Sequence, residues 1–122
     1  MGPQHVVLII GGAVSGSEVA LQLARRGILC VVIDQNQRPY GKIEDGLPRW
    51  HAHLRRQEMD KIDQRLDHPG VHFVPRTKLG RDTDLRQLLG WGPSALVLAV
   101  GAWRHRALPI PGVDGFAGRG FY

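Results

Sequence analysis

Gly11-Gly12-Ala13-Val14-Ser15-Gly16, followed by Asp34, are the residues whose types and spacing could do chemistry. A glycine-rich turn lets the backbone fold tightly and approach a bound group closely, because no Cβ stands in the way. Where such a turn opens a helix, its N–H groups lack intrahelical partners and the helix dipole favours negative charge. The turn can then seat a phosphate. An acid ending the next strand can accept hydrogen bonds from ribose hydroxyls. Together these make a dinucleotide-binding fingerprint, its first glycine serving the tight turn and its last the close helix–strand packing. The middle glycine, where the backbone comes nearest a pyrophosphate, is here Ala13. Its methyl group is expected to push the phosphates outward or weaken their binding. The competing reading is a strand–helix turn that uses glycines for geometry alone.

The elements needed to position these residues are legible around them. Val6-Val7-Leu8-Ile9-Ile10 is a continuous apolar, largely β-branched run, the mark of a parallel strand buried on both faces. Ser15 to Arg26 reads as a helix with Val19, Leu21, Leu23 and Ala24 on its apolar side, closed by Gly27 in a left-handed cap. Ile28 to Ile33 is a second buried strand ending at Asp34, parallel to the first through a right-handed crossover. Gln35 to Trp50, punctuated by Pro39, Gly41, Gly46 and Pro48, predicts a loop. His53 to Leu66 predicts an amphipathic helix with Met59, Ile62 and Leu66 on one face, leaving Arg55, Arg56, Lys61 and Arg65 mainly to solvent. Val71 to Val74 follows as a short strand. Asp84 to Leu89 follows as a short helix capped by Asp84, and Ala95 to Val100 as another buried strand. The stretch from Leu108 is rich in Gly and Pro and reads as a connector.

Composition bounds the rest. A chain of 122 residues with 43% hydrophobic content fits one small globular domain. Its apolar runs are too short to span a bilayer, and no charged leader with an apolar stretch and cleavage site is visible, so a cytoplasmic protein without membrane contact is expected. The single cysteine, Cys30, sits among Leu29, Val31, Val32 and Ile33 and reads as a packed strand residue rather than a reactive thiol. The net charge of +5 is spread over short clusters (Arg25-Arg26, Arg55-Arg56, Arg76 to Arg81, Arg104 to Arg106) with no aromatic–basic stripe. A solvated basic surface is expected rather than nucleic-acid binding, with an acidic protein partner as the sharper alternative.

Other residues are weighed against the same background. His51 and His53 flank Ala52, and residues two apart on a helix point away from one another, so no metal site is expected. Trp50 and Trp103 read as core or interface aromatics, with stacking on a cofactor ring as the alternative. Glu18 and Glu44 show no catalytic partner. Lys42 reads either as a surface lysine or as a cation balancing charge on a phosphate or a reduced cofactor ring.

These residues resemble the adrenodoxin-reductase-like and glutamate-synthase-small-subunit-like flavoproteins of the pyridine-nucleotide-disulfide oxidoreductase superfamily. The family's opening Gly-Ala-Gly-Pro-Ser-Gly loop corresponds to Gly11 through Gly16, and its first helix to Leu23-Ala24-Arg25-Arg26-Gly27. Arg38-Pro39-Tyr40-Gly41-Lys42-Ile43 with Asp45-Gly46-Leu47-Pro48 is similar to its flavin-side loop. Val71-His72-Phe73 and Leu79-Gly80-Arg81-Asp82 are similar to its third strand and the turn after it. Leu98-Ala99-Val100-Gly101-Ala102 is similar to its Ala-Thr-Gly segment, and Ile110-Pro111-Gly112-Val113-Asp114 to the linker that follows.

The resemblance implies an α/β, Rossmann-like, three-layer FAD/NAD(P)-binding domain with a mainly parallel central sheet. In that family the NAD(P)H-binding domain is inserted into the FAD domain, and a carboxy-terminal segment returns to complete it. Residues 1–122 then correspond to the amino-terminal part of the FAD domain, truncated before both. The cofactor-binding residues so implied are Gly11, Gly12, Ala13, Val14, Ser15, Gly16, Asp34, Gln35, Gly41, Lys42, Leu47, Val100, Gly101 and Ala102. The expected parent is an NAD(P)H-dependent flavoprotein oxidoreductase passing electrons through FAD to an acceptor, inactive as this segment alone. No second glycine fingerprint and no Cys-x-x-Cys pair is present. Self-association is expected of the segment, because exposed strand edges and apolar surface invite pairing. The alternatives are a non-catalytic Rossmann-like assembly or docking module and a self-contained NAD-binding enzyme.

Overall fold

Apolar runs separated by polar turns fold here into alternating strands and helices: β1 (Val6–Ile10), α1 (Val14–Ala24), β2 (Leu29–Ile33), α2 (Gly41–Gly46), α3 (Ala52–Leu66), β3 (Val71–Val74), α4 (Leu85–Gly90) and β4 (Ala95–Leu98). The computed structural model describes residues 4–102, 109–116 and 118–119. The four strands form one sheet in the order β3-β2-β1-β4, and every pairing among them is parallel. This is the Rossmann-like α/β arrangement expected from the sequence.

Strand side chains alternate between faces, and β1 uses both. Val7 and Ile9 pack with Cys30, Val32, Ala20 and Ala24 on the α1 side, whereas Leu8 and Ile10 pack with Ile33 and Leu88 on the α4 side. With α3 lying against α1, the layers are α1 and α3, then the sheet, then α4. The face that α1 turns to the sheet is smaller than its sequence suggests. Gly16, Ser17, Ala20 and Ala24 are buried, while Val19, Leu21 and Leu23 are only half-buried. Small side chains let the helix backbone sit close to the strands, and the larger ones fill its flanks. Gly27 closes the helix in the left-handed conformation (φ +80), with the Ile28 N–H bonded to the Leu23 carbonyl and the Gly27 N–H to that of Ala24.

Three expectations are corrected. The stretch from 35 to 50 contains α2, whose Ile43 is buried and whose first turn hangs on the Tyr40 carbonyl. Its polar, glycine-bearing composition conceals a helix anchored by tertiary contact with α3, where the Tyr40 hydroxyl donates to Asp63. Burial first, and that carboxylate second, push the Tyr40 hydroxyl above its ordinary pKa. Arg65 is not left to solvent, because it turns inward to Glu18 on α1 at 2.9 Å. Finally, β4 ends at Leu98 and is exposed at both ends, with Leu98 itself 59% exposed. Among the described residues it pairs on one side only, with β1.

α4 begins as expected. Asp84 accepts from the Gln87 N–H at 2.8 Å while the Gln87 side chain accepts from the Asp84 N–H at 3.0 Å, a reciprocal capping box. Cys30 is fully buried, and that burial raises its pKa. Because the thiolate is the reactive form, Cys30 should resist Ellman's reagent in the folded chain and react fully in denaturant. Rapid labelling of the native protein would contradict this packing.

Candidate functional site

The loops after β1, β2 and β4 meet at the carboxyl edge of the sheet, the end at which parallel α/β folds bind ligands. Gly11 leaves β1 with φ +102, and its N–H donates to the Ile33 carbonyl at 2.7 Å. A Cβ on Gly11 would fall 2.2 Å from the Ala99 carbonyl oxygen, and one on Gly16 would fall 1.7 Å from the Gly11 oxygen. Both positions therefore exclude any side chain. Gly12 is buried against Val32, Pro39 and Phe73, with room for a Cβ only at 3.1–3.3 Å from them.

Ala13 is the amino-terminal cap of α1 at φ −72, ψ −152, an extended conformation open to any residue. The loop thus keeps the path of a glycine fingerprint without backbone strain at its substituted position. The first helical bond within α1 runs from the Ser17 N–H to the Ala13 oxygen at 2.9 Å. The N–H groups of Val14, Ser15 and Gly16 precede it, and no side chain caps them.

Asp34 is buried at the end of β2 and faces this loop. Its Oδ2 accepts from the Gly12 N–H and its Oδ1 from the Asn36 N–H, each at 2.9 Å. Each carboxylate oxygen keeps a further lone pair, so the residue ties β2 to the glycine loop and retains capacity for hydroxyl donors. Gln35, beside it, is half-buried. The strap 34–36 is zipped to the end of β3 by the Thr77 N–H on the Asp34 carbonyl and the Arg76 N–H on that of Asn36. Arg76 adopts φ +53 to do this, the sole positive φ of a non-glycine among the described residues.

The segment after β4 closes the opposite side. Ala99 is bonded to the Ile10 carbonyl at 2.8 Å and abuts both Gly11 and Gly16. Val100, Gly101 and Ala102 follow it, all exposed. Gly101 has φ +75, and a Cβ there would meet Lys42 of α2, with Cε at 3.1 Å and Nζ at 3.5 Å. Gly41 lies beside the Asn36 side chain, and Leu47 ends α2 with its N–H on the Ile43 carbonyl.

The fold thus brings Gly11, Gly12, Gly16 and Asp34 together at this edge, with Gly101 and Lys42 in contact beside them. Ala99, whose carbonyl sets the closeness of that packing, was visible in sequence as part of an apolar strand and of the segment that resembles the family's Ala-Thr-Gly run, with no sign that it would press on Gly11. The Glu18–Arg65 pair, which steadies the first turns of α1 from α3, had no local signal because it joins residues distant in the chain. Trp50 is 82% exposed rather than in a core, and Trp103 lies outside the described residues. His51 and His53 are both exposed, and among the described residues no group of three His, Cys, Asp or Glu could hold a metal ion. No helix among them is long and apolar enough to cross a membrane. A hollow of about 630 Å³ on the α4 face, walled by Val31, Ile33 and Val74, shares no residue with the glycine loop.

Fold and loop together define a Rossmann-like α/β unit with a glycine-rich turn between β1 and α1. No family model matches the chain. The chain is 32% identical over 124 residues to dimethylamine dehydrogenase of Hyphomicrobium sp. (strain x), an alignment covering 90% of this chain and 16% of that protein. It is 30% identical over 109 residues to the NADH glutamate synthase of Schizosaccharomyces pombe, covering 88% of this chain and 5% of that protein. In structure it is similar to the 6-hydroxypseudooxynicotine amine oxidase of Pseudomonas geniculata N1, with TM-score 0.65 and 29% identity over 91% of this chain and 17% of the other. Histamine dehydrogenase from Rhizobium sp. 4-9 shares the fold, with TM-score 0.65 and 23% identity over 88% of this chain and 16% of the other. The chain therefore spans at most about a sixth of the length of these relatives, and it is similar to one segment of oxidoreductases.

Proposed function

We propose that this chain is the FAD-binding segment of a flavoprotein oxidoreductase, one that takes electrons from NAD(P)H and passes them to an acceptor. The observation that carries the reading is the glycine turn: Cβ atoms at Gly11 and Gly16 would lie 2.2 and 1.7 Å from backbone oxygens, so the turn packs β1, α1 and the segment after β4 as tightly as a dinucleotide fingerprint needs, and it opens directly onto the amino end of α1. The unpaired amides of Val14, Ser15 and Gly16 would hold the diphosphate of FAD. The remaining lone pairs of Asp34 would take the adenosine ribose hydroxyls. Gly101 and its neighbours would flank the rest of the cofactor. The flavin supplies the hydride and electron chemistry, and these residues bind and orient it. The likeness to a segment of one dehydrogenase and of one amine oxidase supports the redox part of the reading.

Titration of the 122-residue protein with FAD, followed by flavin fluorescence, should saturate at one equivalent with affinity in the micromolar range or tighter, about −8 kcal/mol. NADH without flavin should give no comparable signal. Protein that neither carries nor takes up FAD would end the proposal in favour of a docking module.

A further inference from the structure

We propose that Lys42 is the cation that neutralises the diphosphate of the bound dinucleotide, an inference that rests on the dinucleotide-binding reading above. A diphosphate diester carries two negative charges, and the amino end of α1 supplies roughly half a positive charge. Neither the glycine loop, Gly11 to Ser17, nor the segment Ala99 to Ala102 contains a cationic residue. On the other rim stands the Asp34 carboxylate, bonded to Gly12 and adding negative charge. A diphosphate held there would find no cation in either of these two segments.

The fold brings one to it from α2. Lys42 lies across Gly101, its Cε and Nζ at 3.1 and 3.5 Å from where a Cβ would stand. Gly101 is two residues beyond Ala99, which abuts both Gly11 and Gly16, so the Lys42 side chain lies over the segment that flanks the glycine loop. The helix that carries it is held in place: Ile43 is buried, and the Tyr40 hydroxyl ties the start of α2 to Asp63. Glycine at 101 keeps the lane open. A lysine ammonium, compact and with three donors, suits a phosphate as a point charge.

The test compares wild type, Lys42→Met and Lys42→Arg for binding of FAD, ADP and adenosine, by calorimetry with fluorescence competition for the weak ligand. Circular dichroism melts confirm that each variant is folded. Lys42→Met should weaken FAD and ADP by about tenfold each, the scale of one lost charge-assisted hydrogen bond, and leave adenosine unchanged. Its ADP affinity should also depend less steeply on salt, and Lys42→Arg should recover most of the loss. Unchanged ADP affinity in Lys42→Met overturns the assignment, even if FAD binding falls, because the ammonium then serves the ring end. Equal weakening of adenosine also overturns it, showing a structural role. Wild-type protein that binds neither FAD nor ADP removes the dinucleotide reading itself, and this inference with it.

Discussion

Gly16→Ala should destabilise the chain by about 3 kcal/mol or more, lower Tm by more than about 10 °C, and abolish dinucleotide binding. The sign is what makes the test sharp. In an ordinary helix interior, glycine to alanine is stabilising by roughly 0.5–1 kcal/mol, because the unfolded chain loses freedom. At Gly16 the added methyl would lie 1.7 Å from the Gly11 carbonyl oxygen, a backbone atom that cannot rotate away. Either α1 lifts off the sheet or β1 shifts, and each breaks the packing of Ala20 and Ala24 on Val7 and Ile9. Gly90→Ala is the control: this residue ends α4 with nothing within 4 Å of its Cβ position, and its replacement should be neutral or mildly stabilising. A Gly16→Ala protein that melts with wild type would mean that helix and strand do not meet as described.

Asp34→Asn should prove nearly as harmful as Asp34→Ala, each lowering stability by about 2–4 kcal/mol and FAD affinity by at least tenfold. The carboxylate uses both of its oxygens, one for Gly12 and one for Asn36. Asparagine offers a single acceptor oxygen and aims an NH2 at the other backbone donor, so one bond becomes a clash of donors. Alanine leaves both N–H groups without this partner, and the Gly12 one is buried, where an unsatisfied group costs about 1–3 kcal/mol. Because Asp34 ties the glycine loop to β2, the loss should reach the loop's geometry as well as its stability. Denaturant midpoints for the three proteins read this directly. A stable Asp34→Asn would show that one of the two bonds contributes nothing.

The basic clusters read from the sequence do not act alike in three dimensions. Arg81 is paired with Asp82 at 2.7 Å, and Arg65 bridges to Glu18 at 2.9 Å, whereas Arg25 and Arg26 stand exposed at the end of α1. The formal charge of +5 therefore overstates any single basic face. Lys42, by contrast, lies over Gly101, in a segment from Ala99 to Ala102 that carries no cation of its own.

Local signals determined much of this protein. The apolar runs at Val6–Ile10 and Leu29–Ile33 could bury both faces only as neighbouring strands, and the glycine turn between β1 and α1 follows from residue types. Asp84 marked the start of α4 for the same reason, since a cap is a local signal; the structure adds Gln87 as its capping-box partner. Tertiary structure alone decided that Ala99 presses on Gly11, that Lys42 crosses Gly101, and that Arg65 reaches Glu18. It also decided that Ile43 would seed a helix in a stretch whose composition reads as loop. Such contacts join residues far apart in sequence, and their energy comes from packing and charge that no window of neighbouring residues contains.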